Sequence, residues 1–393
     1  MARATKRKII ILSVFYLILL TPLILWILWL LTPKKEISIL IYDKTVLKKE
    51  GVEHRGFNWI LKNFKYVKED REFYNISEDY IGFFPLEDEK FYVKDLSKYT
   101  ENDIERLSQK YDMTYFTDMY GIYREEWSRQ TEYTEHSPKI YGGMDYNDYL
   151  FLKKMKEKQK LIISEFNFIH HPTPYGIRRN VENMFGFKWT GWTARYFHLL
   201  DTVKNEELPR WVIRLYKEQH NNTWPFTKDG IVFVHENETI CILENETDLK
   251  YPVPLIKTTD FGVNKYNIPK ELNYPFWIDI TFPNNEINKT ISTFNIYPNS
   301  RGDSLLRRHN IPIVFPAFFE HDDDYRFYYF AGDFVDSDIK FGFVYFKWAD
   351  KFQKYFHSQN NLNARLYFNW NYYVPIVKRI MNDYYKDIKS EDE

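Results

Sequence analysis

The chain has 393 residues, a formal net charge of -1 and 19% aromatic residues, among them 32 Tyr, 32 Phe and 11 Trp. So many large rings can fill a sizeable core, which excludes a disordered chain. The length suits two ordinary domains or one elaborated α/β domain, and Cys241, the single cysteine, excludes an intramolecular disulfide.

Residues 9–31 come first, an uncharged apolar run of 23 residues. A helix rising about 1.5 Å per residue needs about 20 residues to cross a bilayer, so the run predicts a transmembrane helix. Pro22 is tolerable there, and Trp26 and Trp29 sit near the outer end, where rings with a polar edge favour the interface. A cleaved signal peptide would be shorter and end in small residues, which TPKKE does not supply. A buried core helix is disfavoured because no polar face interrupts the run.

Arg3, Lys6, Arg7 and Lys8 precede the run, and only Lys34 and Lys35 follow it. By the positive-inside rule, residues 1–8 are cytoplasmic and the main domain lies outside a plasma (inner) membrane, crossed once. The lipid bilayer is then a partner through 9–31. Beyond residue 35, 48 basic residues face 55 acidic ones, a balance of -7. An acidic domain argues against nucleic acid as a partner, because phosphate-backbone binding needs a basic face.

From residue 36 the pattern alternates. EISILIYD reads as a buried strand, and the next stretch places Phe57, Ile60, Leu61 and Phe64 at helical spacing. DYIGFFP is a second strand, ENDIERLSQKYD a helix and MTYFTDMYGIY a third strand. DYNDYLFLKKMKEKQK is a helix opened by Asp145 as N-cap. LIISEFNF is a fourth strand, and RRNVENMFG a helix closed by Gly186. This alternation predicts an α/β domain over 36–200, with a mostly parallel open sheet and helices on both faces.

Beyond 200 the pattern is β-rich. GIVFVHENETICILEN reads as a hairpin, and YPFWIDITF, STFNIYP, IPIVFPAFFE and FYYFAGDFV are extended segments. A helical tail covers about 364–388. Residues 201–393 either continue the first domain or form a second.

In open parallel sheets, ligands bind beyond the carboxyl ends of the strands. That edge is expected to gather Asp43, Asp118, Tyr120, Glu165 and Asn167, with Glu53, His54 and Arg178 from the adjoining segments. FKWTGWTARYF adds Trp192 and Arg195, residue types that stack on sugar rings and bond hydroxyls, although most rings in such a chain are core. Glu165 or Asp118 is the candidate general acid or base, with Arg178 or Arg195 steadying negative charge. His170 and His171, adjacent in an extended segment, point to opposite faces and suit no shared metal; no metal or cofactor is expected. Cys241, between apolar neighbours, reads as a buried structural thiol. Asp322-Asp323-Asp324 fits the Asp-x-Asp pattern of metal-dependent glycosyltransferases, but it also fits an ordinary acidic turn.

Four segments carry a resemblance: YDKTVLKKEGVEHRGFNWIL, DMYGIY, LIISEFNFIHHPTPYGIRRNVENMFGFKWTGWTARYF and IPIVFPAFFEHDDDYRFYYFAGDFVD. Together they resemble a bacterial group of membrane-anchored proteins whose main domain looks like the class I glutamine amidotransferase-like fold. Related domains occur in Pel-type exopolysaccharide proteins and in the trimerisation domain of some β-galactosidases. An amidotransferase of that fold needs a cysteine at a Gly-flanked elbow, and DMYGIY supplies none. The expectation is therefore an anchored extracytoplasmic domain binding a polar ligand, a cell-envelope saccharide or exopolysaccharide, and working with envelope or exopolysaccharide machinery. The alternative is a carbohydrate-active enzyme, either a glycan hydrolase or a glycosyltransferase using Asp322–Asp324.

Overall fold

The computed structural model describes residues 2–128, 137–362 and 365–391, with side chains for all of these except 2–11, 13–15, 18 and 391. The first core strand, β1 (Ile39–Asp43), is buried along its whole length, as expected of a strand covered on both faces. Helix α2 (Val52–Asn63) leads to β2 (Ile81–Pro85), parallel to β1, and β3 (Phe91–Lys94) turns back against β2 as an exposed edge. Helix α3 (Glu101–Lys110) starts with a reciprocal Thr100–Asp103 capping box. It delivers β4 (Met113–Asp118) to the other side of β1. Helix α4 (Tyr146–Glu157) is capped by Asp145, as predicted, and precedes β5 (Leu161–Ser164), parallel to β4. Helix α5 (Tyr175–Phe185) stops at Gly186, whose φ of 66° is the left-handed cap that glycine supplies.

The chain then leaves this sheet. Strand β6 (Phe187–Phe197), helix α6 (Arg210–Gln219) and the hairpin β7 (Gly230–His235) with β8 (Ile240–Glu244) begin a second layer. β9 (Leu255–Thr258), α7 (Asp260–Tyr266) and β10 (Glu271–Asn273) then form the far edge of the large sheet, and β11 (Ile278–Pro283) joins β6. β12 (Lys289–Asn295), α8 (Ser300–Arg308), β13 (Val314–Asp322) and β14 (Arg326–Phe330) return to the large sheet, and α9 (Val374–Glu391) closes the chain. The large sheet has the order β10-β9-β12-β13-β14-β5-β4-β1-β2-β3, and the small antiparallel sheet β8-β7-β6-β11.

The mostly parallel sheet expected from the strand–helix alternation is corrected here. Only β14–β5, β5–β4, β4–β1 and β1–β2 pair in parallel, and the other strands of the ten-stranded sheet pair antiparallel. The reason is local. β13 and β14 form a hairpin, and α7 and α8 turn the chain back onto the strand it has just left, β10 onto β9 and β13 onto β12, so these neighbours pair antiparallel. Because β14 pairs with β5, the large sheet runs straight across residue 200.

Helices cover both faces of the parallel part. Tyr42 and Phe116 stack together and reach Phe151 of α4 on one face. Tyr115, next in β4 and so pointing the other way, packs on Phe57 of α2 and bonds Tyr373. The predicted tail helix is a short helix Leu366–Phe368, a π turn Asn369–Tyr373 and then α9. The wider turn brings the adjacent Tyr372 and Tyr373 inward together. The predicted start at 364 lies outside the described residues.

At the N-terminus, α1 (Ala2–Leu30) is one continuous helix. Among the described residues, no helix is long and apolar enough to cross a membrane. Of the predicted span, the side chains of 9–11, 13–15 and 18 lie outside the described residues. Leu17 and Leu19 are each 61% exposed, while Trp29 turns into the domain and donates to the Asn63 carbonyl at 2.9 Å.

Candidate functional site

β1 and β4 lie side by side, yet the chain leaves β1 toward β2 and β4 toward β5. Their carboxyl ends therefore flank a topological switch point, the usual place for a ligand crevice in an α/β sheet. Here the crevice is deepened by the small sheet standing over the same edge. The result is a cleft of about 730 Å³. Its floor comes from Thr45, Asp118, Asn167 and Asp333 at the strand ends, and one wall from Trp189, Gly191, Thr193 and Arg195 of β6.

The floor is a chain of polar contacts. Asp118 Oδ1 accepts from the Tyr120 amide at 2.7 Å, and its Oδ2 accepts from Asn167 Nδ2 at 3.2 Å. With Nδ2 committed to the carboxylate, Asn167 Oδ1 faces His170 Nδ1 at 2.9 Å and accepts its hydrogen. The far nitrogen of His170 lies 3.1 Å from Asp279 Oδ2, which also accepts from the Tyr329 hydroxyl at 2.6 Å. His170 stacks on Trp189 at 3.9 Å, which fixes the ring plane. Asn167 holds its place from a left-handed backbone, φ 62°, which asparagine tolerates better than most residues. Burial pushes the Asp118 carboxyl well above the usual carboxylate range, against the pull of the Tyr120 amide and helped by the charge of Asp43.

A second carboxylate group closes the cleft. Arg365 Nη1 lies 3.0 Å from Asp333 and 2.9 Å from Asp336, and its guanidinium covers the Phe276 ring at 4.4 Å. One cation between two carboxylates leaves a net negative charge, and burial holds the Asp336 carboxyl up at about 6. Burial likewise lifts the Glu126 carboxyl, also on the cleft, to about 7.

Aromatic faces complete the wall. Trp277 is half-buried, stacked on Phe166 at 6.0 Å and covered on another side by Arg195 at 5.6 Å. Arg195 is held in turn by Glu207 at 2.5 Å. The β6–β11 pairing slips between Trp189 and Thr193. Gly191 sits in that bulge at φ 90°, where a Cβ would come within 2.6 Å of the His235 ring. The bulge aims Trp189 at His170 and leaves Trp192 in the core.

Asp118, Tyr120, Asn167 and Arg195, all expected at the ligand edge, do line the cleft. The other candidates are placed elsewhere. Asp43 and His54 form a fully buried pair, Oδ2 to Nδ1 at 2.6 Å, and His54 Nε2 donates to the Ile76 carbonyl at 2.7 Å. Asp43 Oδ1 is taken by Thr45, so neither group is left to face a ligand. Glu53 is half-buried beside Asp43, and the desolvation of its carboxyl, with the charge of Asp43, raises it well above the usual range.

Glu165 is fully buried. It accepts from the amides of Phe334 and Val335 at 3.0 and 2.9 Å and from the Tyr115 hydroxyl. It follows β5 directly, but it ties the end of β5 to β4 and to the segment that follows β14, and it is not among the cleft-lining residues. Arg178 forks onto Glu236, whose carboxylate lines the cleft, and so acts behind it. Trp192 packs edge-on against His235 and His309 in the core.

The Asp322–Asp324 turn precedes β14, whose first residue Arg326 pairs with Leu161, the first residue of β5. It therefore lies at the amino end of the parallel strands, opposite the cleft. Its carboxylates pair with Lys265, Arg326 and His321. Cys241 is buried in β8, where burial pushes its thiol up to about 12. Among the described residues no group of three or more His, Cys, Asp or Glu is placed to hold a metal.

Sequence reasoning missed Asp333, Asp336, Arg365, Trp277 and the role of His170. The signal for the two aspartates is FYYFAGDFVD. Taken as a fifth parallel strand, that segment would have put both at the ligand edge by the rule applied to Asp118. Arg365 and Trp277 carry no comparable signal.

No family model matches the chain, and no curated protein matches it. Two solved structures are similar. One is a ThuA-like protein from Bacteroides uniformis ATCC 8492, 11% identical, TM-score 0.37, covering 88% of this chain and 92% of that one. The other is a ThuA-like protein from Parabacteroides merdae ATCC 43184, 10% identical, TM-score 0.35, covering 76% and 79%. Likenesses at this level carry no argument about the site.

Proposed function

We propose that this chain is a membrane-anchored, extracytoplasmic saccharide-binding protein of the bacterial cell envelope, with α1 as the anchor and the cleft as the ligand site. The observation that carries the binding half is the pairing of Trp277, a half-buried indole backed by Phe166, with a floor of carboxylates, an amide and guanidinium groups. An aromatic face beside planar polar groups suits a sugar ring, which has apolar C–H faces and a hydroxyl rim. The uncharged run 9–31, helical as far as Leu30, supports the anchor. Cys241 lies outside the cleft, so the amidotransferase nucleophile has no candidate here.

The test is calorimetric titration of the full chain with fragments of peptidoglycan, teichoic acid and exopolysaccharides. Binding of at least one fragment is expected, weakened several-fold by Trp277→Ala, a loss on the order of 1 kcal/mol. Absence of binding across all three classes would sink the proposal.

A hydrolytic version has its own observation. Asp118, raised by burial, faces the same cleft as Asp333 and Asp336, so an acid and a base are both at hand. Release of reducing ends from the bound fragment, lost in Asp118→Asn with binding kept, would favour it.

A further inference from the structure

Residues 341–356 carry six exposed aromatic rings within sixteen positions. Phe343, Trp348, Phe352, Tyr355 and Phe356 are 52%, 44%, 48%, 86% and 75% exposed, and Tyr345 is 38% exposed. Single exposed rings are ordinary, but a contiguous group marks a contact surface. Lys347, Lys351 and Lys354 are interleaved with them, while the one acidic residue of the stretch, Asp350, is buried and bound to Lys378 at 2.6 Å. Lys351 is exposed among the rings, while Lys347 and Lys354 are half-buried, so the face is aromatic with cations at its margin.

Its position identifies the occupant. The segment is fastened to the base of α1. The Lys347 amide donates to the Leu25 carbonyl at 3.1 Å, Lys347 Nζ reaches Thr32 Oγ1 at 2.9 Å, and Tyr345 meets Trp29 edge-on at 5.2 Å. Asn63 pins it from below, donating to the carbonyls of Val344 and Phe346 at 2.8 and 3.1 Å. Two more lysines circle the same point: Lys65 bonds the Leu30 carbonyl at 2.9 Å and covers the Trp29 ring, and Lys62 covers Tyr345 at 5.1 Å. The surface therefore sits level with the last turns of the helix.

We infer that residues 341–356 are a second membrane contact, lying in the headgroup layer of the leaflet through which α1 emerges. The inference rests on α1 being the anchor. Rings with polar edges favour that layer, and lysines reach from apolar surroundings to anionic phosphates. Two attachment points fix the tilt of the domain, and hence the height and direction of the cleft above the bilayer.

Tyr355→Cys and Val203→Cys test this in the full chain, since Cys241 is buried; Val203 is 83% exposed and serves as the aqueous control. Each variant is labelled with an environment-sensitive fluorophore and reconstituted into phosphatidylcholine–phosphatidylglycerol vesicles. The label at 355 is expected to shift to the blue by at least 10 nm on reconstitution and to be quenched by headgroup-level nitroxide lipids. The label at 203 should stay water-like.

If the protein floats with the vesicles and both labels stay water-like, the platform is wrong and the anchor stands. Failure to float overturns the anchor, and the platform with it. A blue shift at 355 already present in detergent, together with crosslinked dimers, would assign the surface to a second copy of the chain and also overturn the inference.

Discussion

Asn167 donates to Asp118 Oδ2 at 3.2 Å, and this bond decides how both side chains face the cleft. Its amide also orients His170, so removing it frees two polar groups at once. Asn167→Gly keeps the left-handed backbone and deletes only the amide. We expect near-normal thermal stability and saccharide affinity lowered about tenfold, near 1.4 kcal/mol, by calorimetry. Unchanged affinity would show that Asn167 does not organise the floor.

Glu165 is expected to act on stability alone. Glu165→Ala leaves two buried amides without their acceptor and the Tyr115 hydroxyl with Tyr373 alone. Chemical denaturation should record a loss of about 2–5 kcal/mol. Ligand affinity per folded molecule should not move; a selective loss of binding or turnover would return Glu165 to the site.

Asp336 gives a pH signature. Burial holds its carboxyl at about 6, above the usual value, with Asp333, Asp338 and Asp43 reinforcing the shift and Arg365 opposing it. A raised folded-state pKa means the fold keeps a proton that the unfolded chain gives up near pH ~4. The stability contributed by this group is therefore complete below about pH 4 and lost as pH rises through 6. Asp336→Asn should flatten the stability profile between those values, measured by denaturation across pH.

Cys241, buried and with its thiol pushed up to about 12, should resist thiol reagents at neutral pH. Labelling followed by mass spectrometry is expected to modify it only after denaturant is added. Rapid labelling of the native chain would place β8 at the surface.

The parallel half was legible because each element announced itself locally: an apolar run for β1, Asp145 before α4, Gly186 after α5. The strand-end rule then brought Asp118, Tyr120 and Asn167 to the cleft that the structure shows. It failed at Asp43 and Glu165, where the same position is used to stitch strands together, a choice made by neighbours distant in sequence. Strand β6 escaped because its alternation, Phe187, Trp189 and then Ala194 and Tyr196, is broken by the bulge at Gly191. Arg365 reaches the cleft from a helix start near the end of the chain, a meeting no local pattern records.

The partnership of β5 with β14 also bears on synthesis. Residues 165–325 must all be made after Leu161–Ser164 before that strand has neighbours on both sides. Until then its apolar edge is open and able to pair with another chain. A nascent protein of this design carries an unfinished sheet throughout that stretch, so a holding chaperone should raise its yield.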